Sequence, residues 1–165
     1  PSLGADWTLK ADEVRAAMMA CGIRLLVDES VVVETGAGRV QVVGADHRWT
    51  ARDAHLRELV RAHPRVPDAL RLLLLHDPSS FPFVPDGEAD LVLSGHTHGG
   101  QLGLLSLGLE WTFLSSFEGM PDHGFWGLGQ NRLYVHKGTG HYGYPLRLGV
   151  PAEESVLRIH KLVGA

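Results

Sequence analysis

The spacing of apolar positions changes several times along the chain, and each change marks an element. Leu9, Val14, Ala17, Met18 and Cys21 recur at roughly helical intervals within Thr8 to Cys21, and Gly22 follows where a helix C-cap belongs. That pattern predicts a helix laying one face on a sheet. Ile23 to Val27 read as a strand, and Ser30 to Thr35 and Arg39 to Val43 as two more, joined across Gly36-Ala37-Gly38 as a hairpin. Thr50 with Asp53 resembles a capping box and starts a predicted helix over Ala51 to Ala62. Two short apolar strands follow, Leu70 to Leu75 and Asp90 to Ser94, each too short for a buried helix. Between them Phe81-Pro82-Phe83-Val84-Pro85 is too rich in proline for regular structure beyond a single helical turn, and its aromatics either plug the core, the favoured reading, or line the mouth of a site. Leu102 to Trp126 keeps no period, although LGLEWTFLS contains strand-like pieces, and Asn131 to His136 and Ser155 to Leu162 read as closing strands.

The chemistry collects where the two short strands end. His76 follows Leu72 to Leu75 at once, and Pro78 prevents that strand from continuing. After Asp90 to Ser94, the loop Gly95-His96-Thr97-His98-Gly99-Gly100 places two imidazoles two residues apart among glycines. Ligands of open α/β sheets gather outside the carboxyl ends of the strands. Neutral imidazole is a common ligand of zinc, iron and similar ions, so three converging histidines suit a metal better than a Ser-His-Asp arrangement.

These residues carry a resemblance. GHTHGGQ, preceded by an apolar strand and by LLLLHDP, resembles the C-terminal half of the calcineurin-like metallophosphoesterases, and specifically a bacterial branch that continues through a glycine-rich segment to Pro-x-Arg. Here the continuation is Tyr134 to Gly140 and then Tyr144-Pro145-Leu146-Arg147, so the likeness runs from about Val42 onward. It implies an α/β fold, the C-terminal half of a metallophosphoesterase-type α/β sandwich with mixed sheets flanked by helices, forming one domain over residues 1–165. It implies two divalent ions (Mn, Fe or Zn), with His76 and His96 on one and His98 on the other. The family's early motifs, Asp-x-His, Gly-Asp-x-x-Asp and Gly-Asn-His-Asp, are absent in usable form. Asp53-Ala54-His55 fits the first literally, but it lies in a predicted amphipathic helix and reads as a solvated face. The expectation is therefore a half-domain whose bridging carboxylate, Asn ligand and general-acid histidine lie in an N-terminal part, and whose isolated activity is negligible.

Other residues find places beside the histidines. Asp46 and His47 lie in a loop where the family has acidic residues near its site, and Asp77 or Gln101 is suited to fixing an imidazole tautomer. Arg147 is a candidate phosphate clamp, since guanidinium meets phosphate oxygens in pairs, or else a surface partner of Glu153 or Glu154. Leu102 to Trp126 either packs over the sheet or forms an apolar lip for a lipid-like substrate.

Composition narrows the partners. With 165 residues, 44% of them hydrophobic, the chain can bury one core. A formal net charge of −4 and a pI near 6.2 give no footprint for nucleic acid. The single cysteine, Cys21, forms no internal disulfide, and no apolar run approaches the roughly 20 residues of a membrane span. The expected reaction is metal-dependent hydrolysis of a phosphomonoester, diester or pyrophosphate. The expected partners are a phosphorylated small molecule or lipid-like substrate and the N-terminal half or a complementing chain, working in the cytoplasm or at the membrane periphery. The other class considered is a non-enzymatic half-domain that binds a metal or a partner. A structural zinc protein is disfavoured because such sites usually recruit cysteine and close with four ligands.

Overall fold

The computed structural model describes residues 11–117, 120–143 and 145–160. Its strands are β1 (Glu29–Thr35), β2 (Gly38–Gly44), β3 (Ala69–Leu74), β4 (Leu91–Ser94), β5 (Gly124–Leu128) and β6 (Asn131–Val135). They form one sheet in the order β1-β2-β3-β4-β6-β5, and this mixed sheet with flanking helices makes an α/β fold. β2, β3, β4 and β6 run parallel, while the outer strands β1 and β5 pair antiparallel to their neighbours. Four strands thus discharge their loops at one edge. The ladder continues into those loops, with Gly95 N–H on the carbonyl of His76 at 3.1 Å and His136 N–H on that of Ser94 at 2.8 Å.

The two sheet faces differ. One face carries Val43, Leu73, Val92, Leu133 and Val135, all buried together with Leu56 and Leu59 of helix α2 (Arg52–Ala62) and with Phe81 and Val84. Val40, Val42, Leu70, Leu72 and Leu93 project to the other face and remain half-buried, and Leu74 beside them is 38% exposed. Alternation of side chains along each strand explains the division.

Several expectations need correction. Helix α1 (Ala11–Ala20) forms, with residues 8–10 outside the described set, but its face is not laid on the sheet: Val14 is 40% and Met19 64% exposed. Gly22 at φ 74° does end it, with backbone bonds from Gly22 to Met19 and from Ile23 to Met18. Ile23 to Val27 form no strand, because β1 occupies the pairing position beside β2, and Leu26 instead lies across Gly44. Helix α2 lacks the expected capping box. Ala51 caps it in the left-handed region at φ 54° with no side-chain bond. Ser155 to His160 form no strand, and residues 161–162 lie outside the described set. The closing segment is held by side chains instead: Tyr134 donates to Glu153, and Ser155 donates to the same carboxylate at 2.5 Å. Phe81 does plug the core, within a 3-10 turn over Pro78–Phe83, while Phe83 is 40% exposed. In the leucine-rich stretch, LGLEWTFLS forms no named strand: Thr112 makes an isolated bridge to Gly103, and the short helix α3 (Phe113–Phe117) begins at the next residue.

Candidate metal centre

The ends of β3 and β4 bring two imidazoles face to edge. His96 Nδ1 lies 3.2 Å from His76 Nε2, with ring centroids 5.0 Å apart and planes at 73°. Two neutral imidazole nitrogens so placed cannot both carry a proton, so at least one lone pair is directed into the gap between the rings. Lost hydration at the strand end, followed by the charges of His96 and His47, holds His76 below the ordinary histidine range. Its ring is therefore neutral near pH 7, the form that ligates metal.

The loop after β4 is bent to aim these rings. His96 and His98 adopt φ of 69° and 51°, a left-handed conformation that costs side-chain-bearing residues about 1–2 kcal/mol each. Gly99 follows at φ 62°, where a Cβ would stand 2.8 Å from Val150 and 2.9 Å from Lys137, so any other residue would be strained and would displace one of these side chains. Thr97, buried between the two histidines, anchors the loop by donating its hydroxyl to the carbonyl of Asp122 at 2.7 Å. Strain held at two histidines one residue apart is characteristic of functional loops.

His98 belongs to different surroundings. Its Nδ1 lies 3.4 Å from the Arg147 guanidinium, and that arginine donates to the carbonyl oxygens of His98 at 3.3 Å, Lys137 at 2.6 Å, Gly138 at 3.1 Å and Gly140 at 2.7 Å. Arg147 is not paired to Glu153, whose carboxylate instead takes Tyr134, Ser155 and Lys137. Gln101 likewise faces away from the imidazoles. Its amide donates to the carbonyl of Tyr142 at 3.0 Å and accepts from the Tyr142 N–H, closing the glycine-rich loop onto the histidine loop.

Asp46, His47 and Asp77 share a cavity with His76, together with Arg48 and Arg52. Asp77 caps the 3-10 turn through Ser79 N–H at 2.9 Å and meets Arg52 at 3.5 Å. Burial acts to raise its carboxyl, but the bonds from Ser79 and the charges of His96 and Arg52 outweigh it and hold Asp77 below the usual carboxylate range. Asp46 pairs with Arg48 at 3.4 Å.

His55, expected on a solvated helix face, is instead bonded through Nε2 to Asp28 at 2.8 Å. Asp28 also accepts from Asp46 N–H at 2.9 Å and Arg48 at 3.3 Å, so this cluster braces the loop that carries His47. Asp28, Thr112 and Asp122 carry no local signal, since each acts through contacts made only in the fold.

Among the described residues, no group of three or more His, Cys, Asp or Glu side chains is gathered closely enough to hold an ion. The His76–His96 pair has the donor chemistry for part of one coordination shell.

No family model matches the chain, and no solved structure matches it. Curated relatives do. An uncharacterized metallophosphoesterase of Campylobacter jejuni is 37% identical over 89 residues, covering 53% of this chain and 22% of the relative. The uncharacterized metallophosphoesterase YkoQ of Bacillus subtilis is 27% identical over 153 residues, 87% of this chain and 53% of the relative. Phosphodiesterase YaeI of Escherichia coli is 27% identical over 152 residues, 92% of this chain and 53% of the relative. The chain spans about half, or less, of the length of these relatives.

Proposed function

Because the chain belongs to the calcineurin-like metallophosphoesterase family, we propose that it supplies the C-terminal half of a two-metal phosphoester hydrolase acting on a diester, monoester or pyrophosphate. The observation that carries this reading is the 3.2 Å approach of His76 Nε2 to His96 Nδ1 at the carboxyl edge of the sheet. His76 and His96 would hold one divalent ion and His98 a second, with manganese, iron or zinc as the candidates. Bound ions of this kind neutralise phosphoryl charge and lower the pKa of water.

The chain's own residues position the site. Asp77 and Arg52 hold the turn after His76, Thr97 fixes the loop between His96 and His98, and Arg147 gathers the glycine-loop carbonyls around His98. Asp46 and His47 wall the cavity beside His76. The further carboxylate and Asn ligands and the proton-donating histidine that the family resemblance implies would come from an N-terminal half. That half packs on the half-buried sheet face of Val40, Val42, Leu70, Leu72 and Leu74, an apolar surface of the sort that partners cover.

The name of the Escherichia coli relative favours diesters among the substrates. Exposed Leu107, Leu109 and Trp111, in the segment after the histidine loop, suit a substrate with an apolar part. Nucleic acid is disfavoured by the net charge of −4. No helix among the described residues is long and apolar enough to cross a membrane, and the working place proposed is the cytoplasm or the membrane periphery.

The test is hydrolysis of bis(p-nitrophenyl) phosphate with added manganese. The full-length protein should turn over, and His96→Ala should reduce kcat/KM at least 100-fold, while the isolated 165-residue chain should show no appreciable rate. Turnover of the full-length protein that survives His96→Ala would overturn the reading. A full-length protein that binds metal without hydrolysing any phosphoester would favour the non-enzymatic half-domain.

A further inference from the structure

Next to the segments that contact the histidine loop lies a further cavity, of about 300 Å³, whose walls include Glu110, Ser115, His123, Phe125 and Trp126. It adjoins the metal loop on two sides. Thr97 donates to the carbonyl of Asp122, and Gly100 packs against Leu114, the residue before Ser115.

The histidine of this cavity is held in a defined state. Asp122 is fully buried; one carboxylate oxygen accepts from the Thr112 hydroxyl and the other lies 2.8 Å from His123 Nδ1. A carboxylate accepts only, so Nδ1 carries the proton and, in the neutral ring, Nε2 keeps its lone pair. With Nδ1 occupied and the ring partly exposed, Nε2 is the nitrogen left to meet a ligand. The indole of Trp126 is fixed as well, by donation of Nε1 to the carbonyl of His123 at 2.7 Å.

The wall chemistry selects one charge. It offers a carboxylate, an imidazole acceptor and two aromatic rings, and among the described residues no lysine or arginine lines it. Phosphate would be repelled by Glu110 and would find no lysine or arginine among the described lining residues, whereas an ammonium group gains the carboxylate, an N–H bond to His123 Nε2 and an aromatic face. We propose that this cavity is an ammonium-binding subsite that takes a primary-amine arm of the substrate, an amino-alcohol ester being the class it fits. The assignment of this arm to a phosphodiester rests on the hydrolase reading above; binding of the amine does not.

Two measurements on the full-length protein test it. Ethanolamine at neutral pH should shift the His123 ring resonances saturably, and 1-propanol, its neutral isostere, should bind at least tenfold more weakly. Glu110→Gln, a change at an exposed position, should weaken ethanolamine at least tenfold without altering metal content. In turnover, p-nitrophenyl 2-aminoethyl phosphate should exceed p-nitrophenyl propyl phosphate in kcat/KM at least tenfold, and Glu110→Gln should erase the difference. Equal binding of ethanolamine and 1-propanol, or ethanolamine binding indifferent to Glu110→Gln, overturns the subsite. If ethanolamine binds as described while no phosphodiester is hydrolysed, the subsite stands and only the hydrolase reading falls.

Discussion

Arg147 donates to the backbone carbonyl of His98 at 3.3 Å, and the same guanidinium holds the carbonyls of Lys137, Gly138 and Gly140. A planar fork of fixed donors can bind several carbonyls at once, which a lysine cannot reproduce. Arg147→Lys should therefore loosen His98. We expect one equivalent of metal to bind at least tenfold more weakly, with the inhibition constant for inorganic phosphate changed less than threefold. Isothermal titration with manganese and a phosphate inhibition series measure both. Intact metal binding with collapsed phosphate affinity would return Arg147 to the role of phosphate clamp.

The legible part of this molecule was the part written in contiguous residues. Leu72 to Leu75 and Leu91 to Ser94 announce strands because short apolar runs ended by polar residues have few alternatives, and His76, His96 and His98 follow them directly. The hairpin of β1 and β2 was equally plain, its glycines marking the turn. What stayed hidden depends on partners far along the chain. Ile23 to Val27 has strand-like residues, but β1 holds the place beside β2, Ser155 is tied down by Tyr134 and Glu153, and His55 finds Asp28 across 27 residues. In the sequence Arg147 reads as a candidate phosphate clamp or a surface partner of Glu153 or Glu154, and only the fold reveals that its donors are turned to backbone carbonyls.

Acid should release the closing segment. Burial alone would raise the Glu153 carboxyl, but donation from Ser155 and Tyr134, the Lys137 N–H and the Lys137 charge bring it down from 4.5 to about 2. A depressed carboxylate contributes stability that is fully present above the unfolded value and is lost as pH falls through the folded one. The window therefore runs from about 4.5 down to about 2, and the contribution is at most about 3 kcal/mol. Urea midpoints taken from pH 6 to pH 2.5 should fall in the wild type, and Glu153→Gln should lower the midpoint at pH 6 while flattening the slope. A Glu153→Gln profile parallel to the wild type contradicts this role.

The half-buried sheet face should make the isolated chain associate. Leu74, 38% exposed beside Leu72 and Leu93, lies on that apolar surface, and such patches draw copies together when their partner is absent. Sedimentation velocity at rising concentration should show reversible self-association, reduced by Leu74→Asp. A monodisperse monomer at all concentrations would mean that this face needs no cover.

The division of the histidines between two ions is most directly tested by metal stoichiometry of the full-length protein and its variants. Wild type should hold two equivalents of manganese per chain. His76→Ala and His96→Ala should each abolish the same tight equivalent, because their ring nitrogens face one another at 3.2 Å, while His98→Ala should weaken the other. If His96→Ala and His98→Ala deplete one and the same equivalent and leave the second fully occupied, the assignment is contradicted.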